Sequence, residues 1–125
     1  MRQTTASERE TILAFFRTLK AHGIHYCILR NYEDVPEQIG HDLDVFVSRE
    51  SAKQANTFLI REAMQNGLVL CHVHRRDYFT ALFFCHGEAG PVLHIDIYHG
   101  ALTWHGLPFL DESNFIDSLI DYKQF

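Results

Sequence analysis

The sequence predicts an α/β (α+β) domain, with a mixed, largely antiparallel sheet flanked by helices. Two stretches, 12–19 and 52–63, repeat apolar residues at helical spacing. Five short runs rich in β-branched and aromatic residues lie around them, at 26–30, 42–48, 68–73, 78–85 and 92–98. The third and fourth of these runs are separated only by a short turn, as in a hairpin. A length of 125 residues with an ordinary apolar content fits one domain, 1–125, around a single core.

Ser7-Glu8-Arg9-Glu10 is a capping-box pattern, in which a hydroxyl and a carboxylate each satisfy an orphan amide. Behind it Ile12, Leu13, Phe15, Phe16 and Leu19 form one helical stripe, and Gly23 ends the helix. Tyr26-Cys27-Ile28-Leu29-Arg30 reads as a short buried strand. The polar connection 31–40 is longer than a hairpin turn needs and reads as a functional loop. Ser48 is the expected N-cap of a second helix carrying Ala52, Ala55, Phe58, Leu59 and Ala63, and Asn66-Gly67 is its stop. Strands at 68–73 and 78–85 follow, turning at Arg75-Arg76-Asp77. In the next strand Leu93, Ile95 and Ile97 alternate with His94, Asp96 and Tyr98. Trp104 is expected to cover that strand. From Asp111 or Ser113 a last helix is expected on Phe115, Leu119, Ile120 and Tyr122, and its unfinished apolar face reads as a domain truncated before a helical part.

Composition narrows the function. The net charge of −5 argues against duplex nucleic acid, which needs clustered Lys and Arg, although Arg75 and Arg76 form a local basic pair. No apolar run approaches the roughly 20 residues of a membrane span, and the N-terminus lacks the apolar stretch of a signal peptide. A cytoplasmic protein is expected. Cys27, Cys71 and Cys85 contain no C-x-x-C pair and read as reduced, buried small residues. The nine histidines include no H-E-x-x-H pattern. His94, Asp96 and His99 are close enough in sequence to form a small transition-metal site. The alternative is that they are ordinary half-buried strand residues.

The chemistry is concentrated in Gly40-His41-Asp42-Leu43-Asp44-Val45-Phe46-Val47-Ser48. On a strand Asp42 and Asp44 project to the same face, roughly 6.5–7 Å apart, with Leu43, Val45 and Val47 on the other. Carboxylates so placed can converge on one divalent cation, or hold two about 3.5–4 Å apart. An edge strand with its polar face in water is the plainer alternative. Adding Asp96 from a neighbouring strand gives a carboxylate triad, the usual means of holding Mg²⁺ (or Mn²⁺) around a triphosphate.

The unit Ile28-Leu29-Arg30, then Asp42-Leu43-Asp44-Val45-Phe46-Val47, then Leu93-His94-Ile95-Asp96-Ile97-Tyr98, resembles the nucleotidyltransferase superfamily with the polymerase-beta-like fold. The likeness runs from about Thr11 to Gly100. Leu29-Arg30-Asn31-Tyr32-Glu33 with the later Asp-x-Asp looks like a little-characterised bacterial branch associated with surface-polysaccharide genes. The resemblance implies that Asp42 and Asp44 bind two metals and Asp96 the catalytic one. It also implies an NTP and a hydroxyl acceptor as substrates, the acceptor being a small molecule, a glycan precursor or a protein. The Gly-Ser usual after the first strand is replaced here by Arg30-Asn31, ahead of a longer loop. Arg30 either forks on phosphate or pairs with Glu33 or Asp34. With Asn31, and with His41 beside the first acid, it makes up the expected nucleotide-binding set. His94 and Tyr98 share the face of Asp96, where they either support it or are simply satisfied half-buried residues, the reading favoured here. A degenerate binding module of the same fold and a hydrolase using His94, Asp96 and His99 are the two alternative functions. Oligomeric state is left open by the sequence.

Overall fold

The computed structural model describes residues 2–29, 35–40, 42–87 and 90–100, together with the backbone of 102–104 and 107–110. The first element is a short strand, β1 (Arg2–Gln3), leading into helix α1 (Ala6–Ala21). Thr5 caps this helix, because its extended backbone lets the side chain accept from the Glu8 amide at 3.1 Å. Glu8 reciprocates by accepting from the Thr5 amide at 2.8 Å. The capping box therefore lies two residues earlier than the expected Ser7-Glu10 pair. Arg2 selects it, holding the buried Glu8 carboxylate through both guanidinium nitrogens. Gly23, at φ 69°, turns the chain so that the Ile24 amide reaches the Leu19 carbonyl at 2.9 Å.

Strand β2 (Tyr26–Ile28) follows, then β3 (Gln38–Ile39), which pairs with β1 in a two-stranded ribbon that the sequence did not announce. Next come β4 (Leu43–Val47), a 3₁₀ turn at Arg49–Ser51 and helix α2 (Ala52–Gln65). Ser48 starts the 3₁₀ turn, and its hydroxyl bonds that of Ser51 at 2.9 Å instead of an amide. Strands β5 (Val69–Arg75), β6 (Phe79–Cys85) and β7 (Leu93–His99) complete the main sheet, and β8 (Leu102–Trp104) pairs with β9 (Leu107–Leu110). The main sheet runs β2-β4-β7-β6-β5, with only β4 and β7 parallel. The fold is thus mixed α+β, with a mostly antiparallel sheet and two helices.

Both helices pack on one face of the sheet. Phe15, Phe16 and Leu19 of α1 and Ala55, Phe58 and Leu59 of α2 meet Val45, Val47, Leu82, Phe84, Leu93, Ile95 and Ile97 in one buried cluster. The residues between those strand positions therefore face away from the helices.

The cysteine expectation needs correcting. Cys71 and Cys85 form a disulfide, with Cα atoms 6.2 Å apart. No C-x-x-C spacing is required, because the antiparallel β5–β6 pair, with its irregularity between Leu70 and His72, juxtaposes the two residues. Cys71 is exposed, and only Cys27 matches the expected buried thiol, its pKa pushed up to about 12 by burial. No helix among the described residues is long and apolar enough to cross a membrane. The expected last helix, the Trp104 side chain and the loop at 31–34 lie outside what is described.

Candidate functional site

The chain leaves β4, forms α2 and the β5–β6 pair, and returns to place β7 between β4 and β6. This crossover carries the third aspartate next to the first two. In the parallel β4–β7 register Asp44 stands opposite Asp96, with Leu43 opposite Ile95 and Val45 opposite Ile97. The apolar pairs point to the helices, so both acids emerge on the other face. Both are nearly sealed from solvent, with Asp44 1% and Asp96 5% exposed. Asp42, one residue ahead of β4, is half-buried.

His94 enters the same group, two residues before Asp96 on β7. Its Nε2 lies 2.6 Å from the Asp96 Oδ1. One ligand atom each from Asp42, His94 and Asp96 can be chosen so that all lie within 4.8 Å of one another. The Phe83 ring, from the facing position on β6, stacks on the imidazole with centroids 4.1 Å apart. That contact fixes the plane of the His94 ring.

Burial, reinforced by the Asp42 and Asp44 carboxylates, pushes the Asp96 pKa up to about 8. Burial also lowers the pKa of His94, against the pull of Asp42, which would raise it. The group is thus a set of oxygen donors and a neutral imidazole, packed too closely for all its acids to ionise at ease. A divalent cation fits such a set, since it replaces mutual repulsion with attraction. Asp42 and Asp96 would hold it, with Asp44 adding charge from the neighbouring strand.

The other expected residues distribute as follows. Tyr98 shares the face of Asp96 but belongs to an aromatic row, stacked on Phe79 at 5.2 Å with Tyr78 beyond it. His99 falls on the opposite face, where burial and then the nearby Arg49 charge lower its pKa. The expected His94–Asp96–His99 metal group is therefore not assembled. A spacing of three along a strand puts two residues on opposite faces. Arg75 and Arg76 sit at the exposed β5–β6 turn, lining a surface cavity of about 580 Å³ with His74, Asp77, Tyr78 and Phe79. Arg30, Asn31 and His41 lie outside the described residues.

Sequence reasoning missed Phe83 and Phe79 as neighbours of the site. Alternation along 79–85 put them on one face, but only the β6–β7 register tells which face that is. No family model matches the chain, and no curated protein matches it either.

Proposed function

We propose that this chain is a divalent-metal-dependent nucleotidyltransferase core of the polymerase-beta-like superfamily, moving a nucleoside monophosphate from an NTP to a hydroxyl acceptor. The observation that carries this reading is the meeting of Asp42, Asp44 and Asp96 on one face, with Asp44 directly opposite Asp96 across parallel strands. Such acids cannot receive a triphosphate by themselves, because like charges would repel it. With a cation bound, the site would gain a positive centre for phosphate oxygens and for the acceptor hydroxyl.

The residues of this chain contribute position and charge. Asp96 reaches the cation site from β7 and Asp42 from the residue just ahead of β4, the strand that pairs with β7. Asp44 raises the local negative charge from a buried position, which favours Mg²⁺ or Mn²⁺ over monovalent ions. In the ion-free protein His94 Nε2 and Asp96 Oδ1 share a hydrogen bond of 2.6 Å. The aromatic row of Phe79 and Tyr98, with Tyr78 against both rings, adjoins the site on β6 and β7.

Thermal shift in Mg²⁺ with ATP, CTP, GTP or UTP, each compared with Mg²⁺ alone, tests the reading. At a nucleotide concentration of 100 Kd, binding stabilises by about 2.7 kcal/mol, so at least one NTP is expected to raise the melting temperature clearly. EDTA and Asp44→Asn should each remove the rise. The absence of a shift with all four nucleotides would overturn the reading. Pyrophosphate release with a panel of hydroxyl acceptors then separates turnover from binding.

A further inference from the structure

We propose that His94 is a direct ligand of the bound cation, and that the site therefore prefers Mn²⁺ or another nitrogen-accepting divalent ion to Mg²⁺. This deepens the reading above and rests on its cation site, though not on the nucleotide or the reaction. The implied triad is all carboxylate, and His94 departs from it. Three facts point to the imidazole as a ligand instead of a mere prop.

The first is reach. His94 Nε2 and Asp96 Oδ1 are 2.6 Å apart, and one ligand atom each of Asp42, His94 and Asp96 lie within 4.8 Å of one another. Adjacent ligands on an ion with bonds of about 2.1 Å stand about 3.0 Å apart, and opposite ones about 4.2 Å. Asp42 can stand opposite only one of the other two, so closing the trio on one ion asks its carboxylate, just ahead of β4, to move in by up to about 2 Å. The second is orientation. The nitrogen that would bond the metal is the one already directed at the carboxylates, and Phe83 stacking holds the ring in that plane. The third is enclosure. Asp96 is 5% exposed and the His94 side chain 25%, so the nitrogen competes with little water.

An imidazole nitrogen changes which ion is chosen. Mg²⁺ takes oxygen ligands almost exclusively, whereas Mn²⁺ and the later divalent ions accept nitrogen with rising affinity. Removing the nitrogen should therefore weaken Mn²⁺ selectively.

Mn²⁺ alone, without nucleotide, is the probe. Electron spin-echo spectroscopy of Mn²⁺ bound to the wild-type chain is expected to show coupling to a directly bonded nitrogen, and ¹⁵N-histidine labelling should alter it. His94→Asn should abolish the coupling and weaken Mn²⁺ binding at least about tenfold, with Mg²⁺ affinity changed far less. Should that variant fail to fold, His41→Asn keeps the test decisive, because His41 is the histidine beside Asp42 in sequence. Coupling that persists there supports His94, and coupling lost there overturns it. Mn²⁺ bound without nitrogen coupling would also overturn the inference, while leaving an all-carboxylate site and the proposed function in place. If the wild-type chain binds no Mn²⁺, both fall together.

Discussion

In the ion-free protein the Asp96 carboxyl lies among Asp42, Asp44 and an imidazole that burial keeps from protonating. Its folded pKa of about 8 stands above the ordinary carboxylate value, so the folded chain retains a proton that the unfolded chain has released. The stability tied to this group is full below pH about 4 and is lost as pH rises towards about 8. His94 and His99, both lowered, act in the opposite sense, but only below their ordinary value of about 6.5. The Asp96 effect is therefore isolated between about pH 6.5 and 8. In EDTA the melting temperature is expected to fall across that window, and Asp96→Asn should flatten the fall. A wild-type curve that is level or rising there would mean Asp96 is already ionised. All three aspartates were legible in the sequence, because an acid amid aliphatic residues on a strand needs a reason to be there. The part taken by His94 was only half legible. Alternation gave its face, but the distance to Asp96 depends on a side-chain rotamer that no pattern encodes.

Elements were read well where local periodicity decides them and less well where partners do. Helix α2 buries Ala52, Ala55, Phe58, Leu59 and Ala63, the stripe expected from the sequence. At the start of α1, two overlapping capping patterns compete, and Arg2 settles the choice from outside the helix. Thr5→Ala should then destabilise by about 1 kcal/mol in denaturant unfolding, with Ser7→Ala having much less effect. Equal losses would put the cap at Ser7 after all. The ribbon of β1 with β3 escaped notice because each strand has two residues, too few for any period to register. The Cys71–Cys85 bond was misread for a related reason, since it depends on the pairing of β5 with β6 and not on spacing in the chain. Closing a loop across a separation of 14 residues is worth about 3 kcal/mol in the chain-entropy model. Reductant, or Cys71→Ser with Cys85→Ser, is expected to lower stability by that order. In denaturant without reductant only Cys27 should alkylate, whereas reaction of all three thiols would show that the bond does not form.

At the level of the whole molecule, the sequence carried the mixed sheet and its helices because apolar alternation and helical stripes are both sums over many residues. The sequence reading set Asp96 on a strand neighbouring the acidic one, but the crossover that brings β7 beside β4 is decided by packing between distant segments. That crossover is what turns two acids near residue 43 and one at residue 96 into a single site. Crystals grown with Mn²⁺ and a non-hydrolysable NTP test this most directly, through the anomalous scattering of the metal. The expected result is a peak within about 2–2.5 Å of carboxylate oxygens of both Asp42 and Asp96, with the triphosphate against it. A nucleotide bound elsewhere, or a metal peak away from these two acids, would contradict the reading.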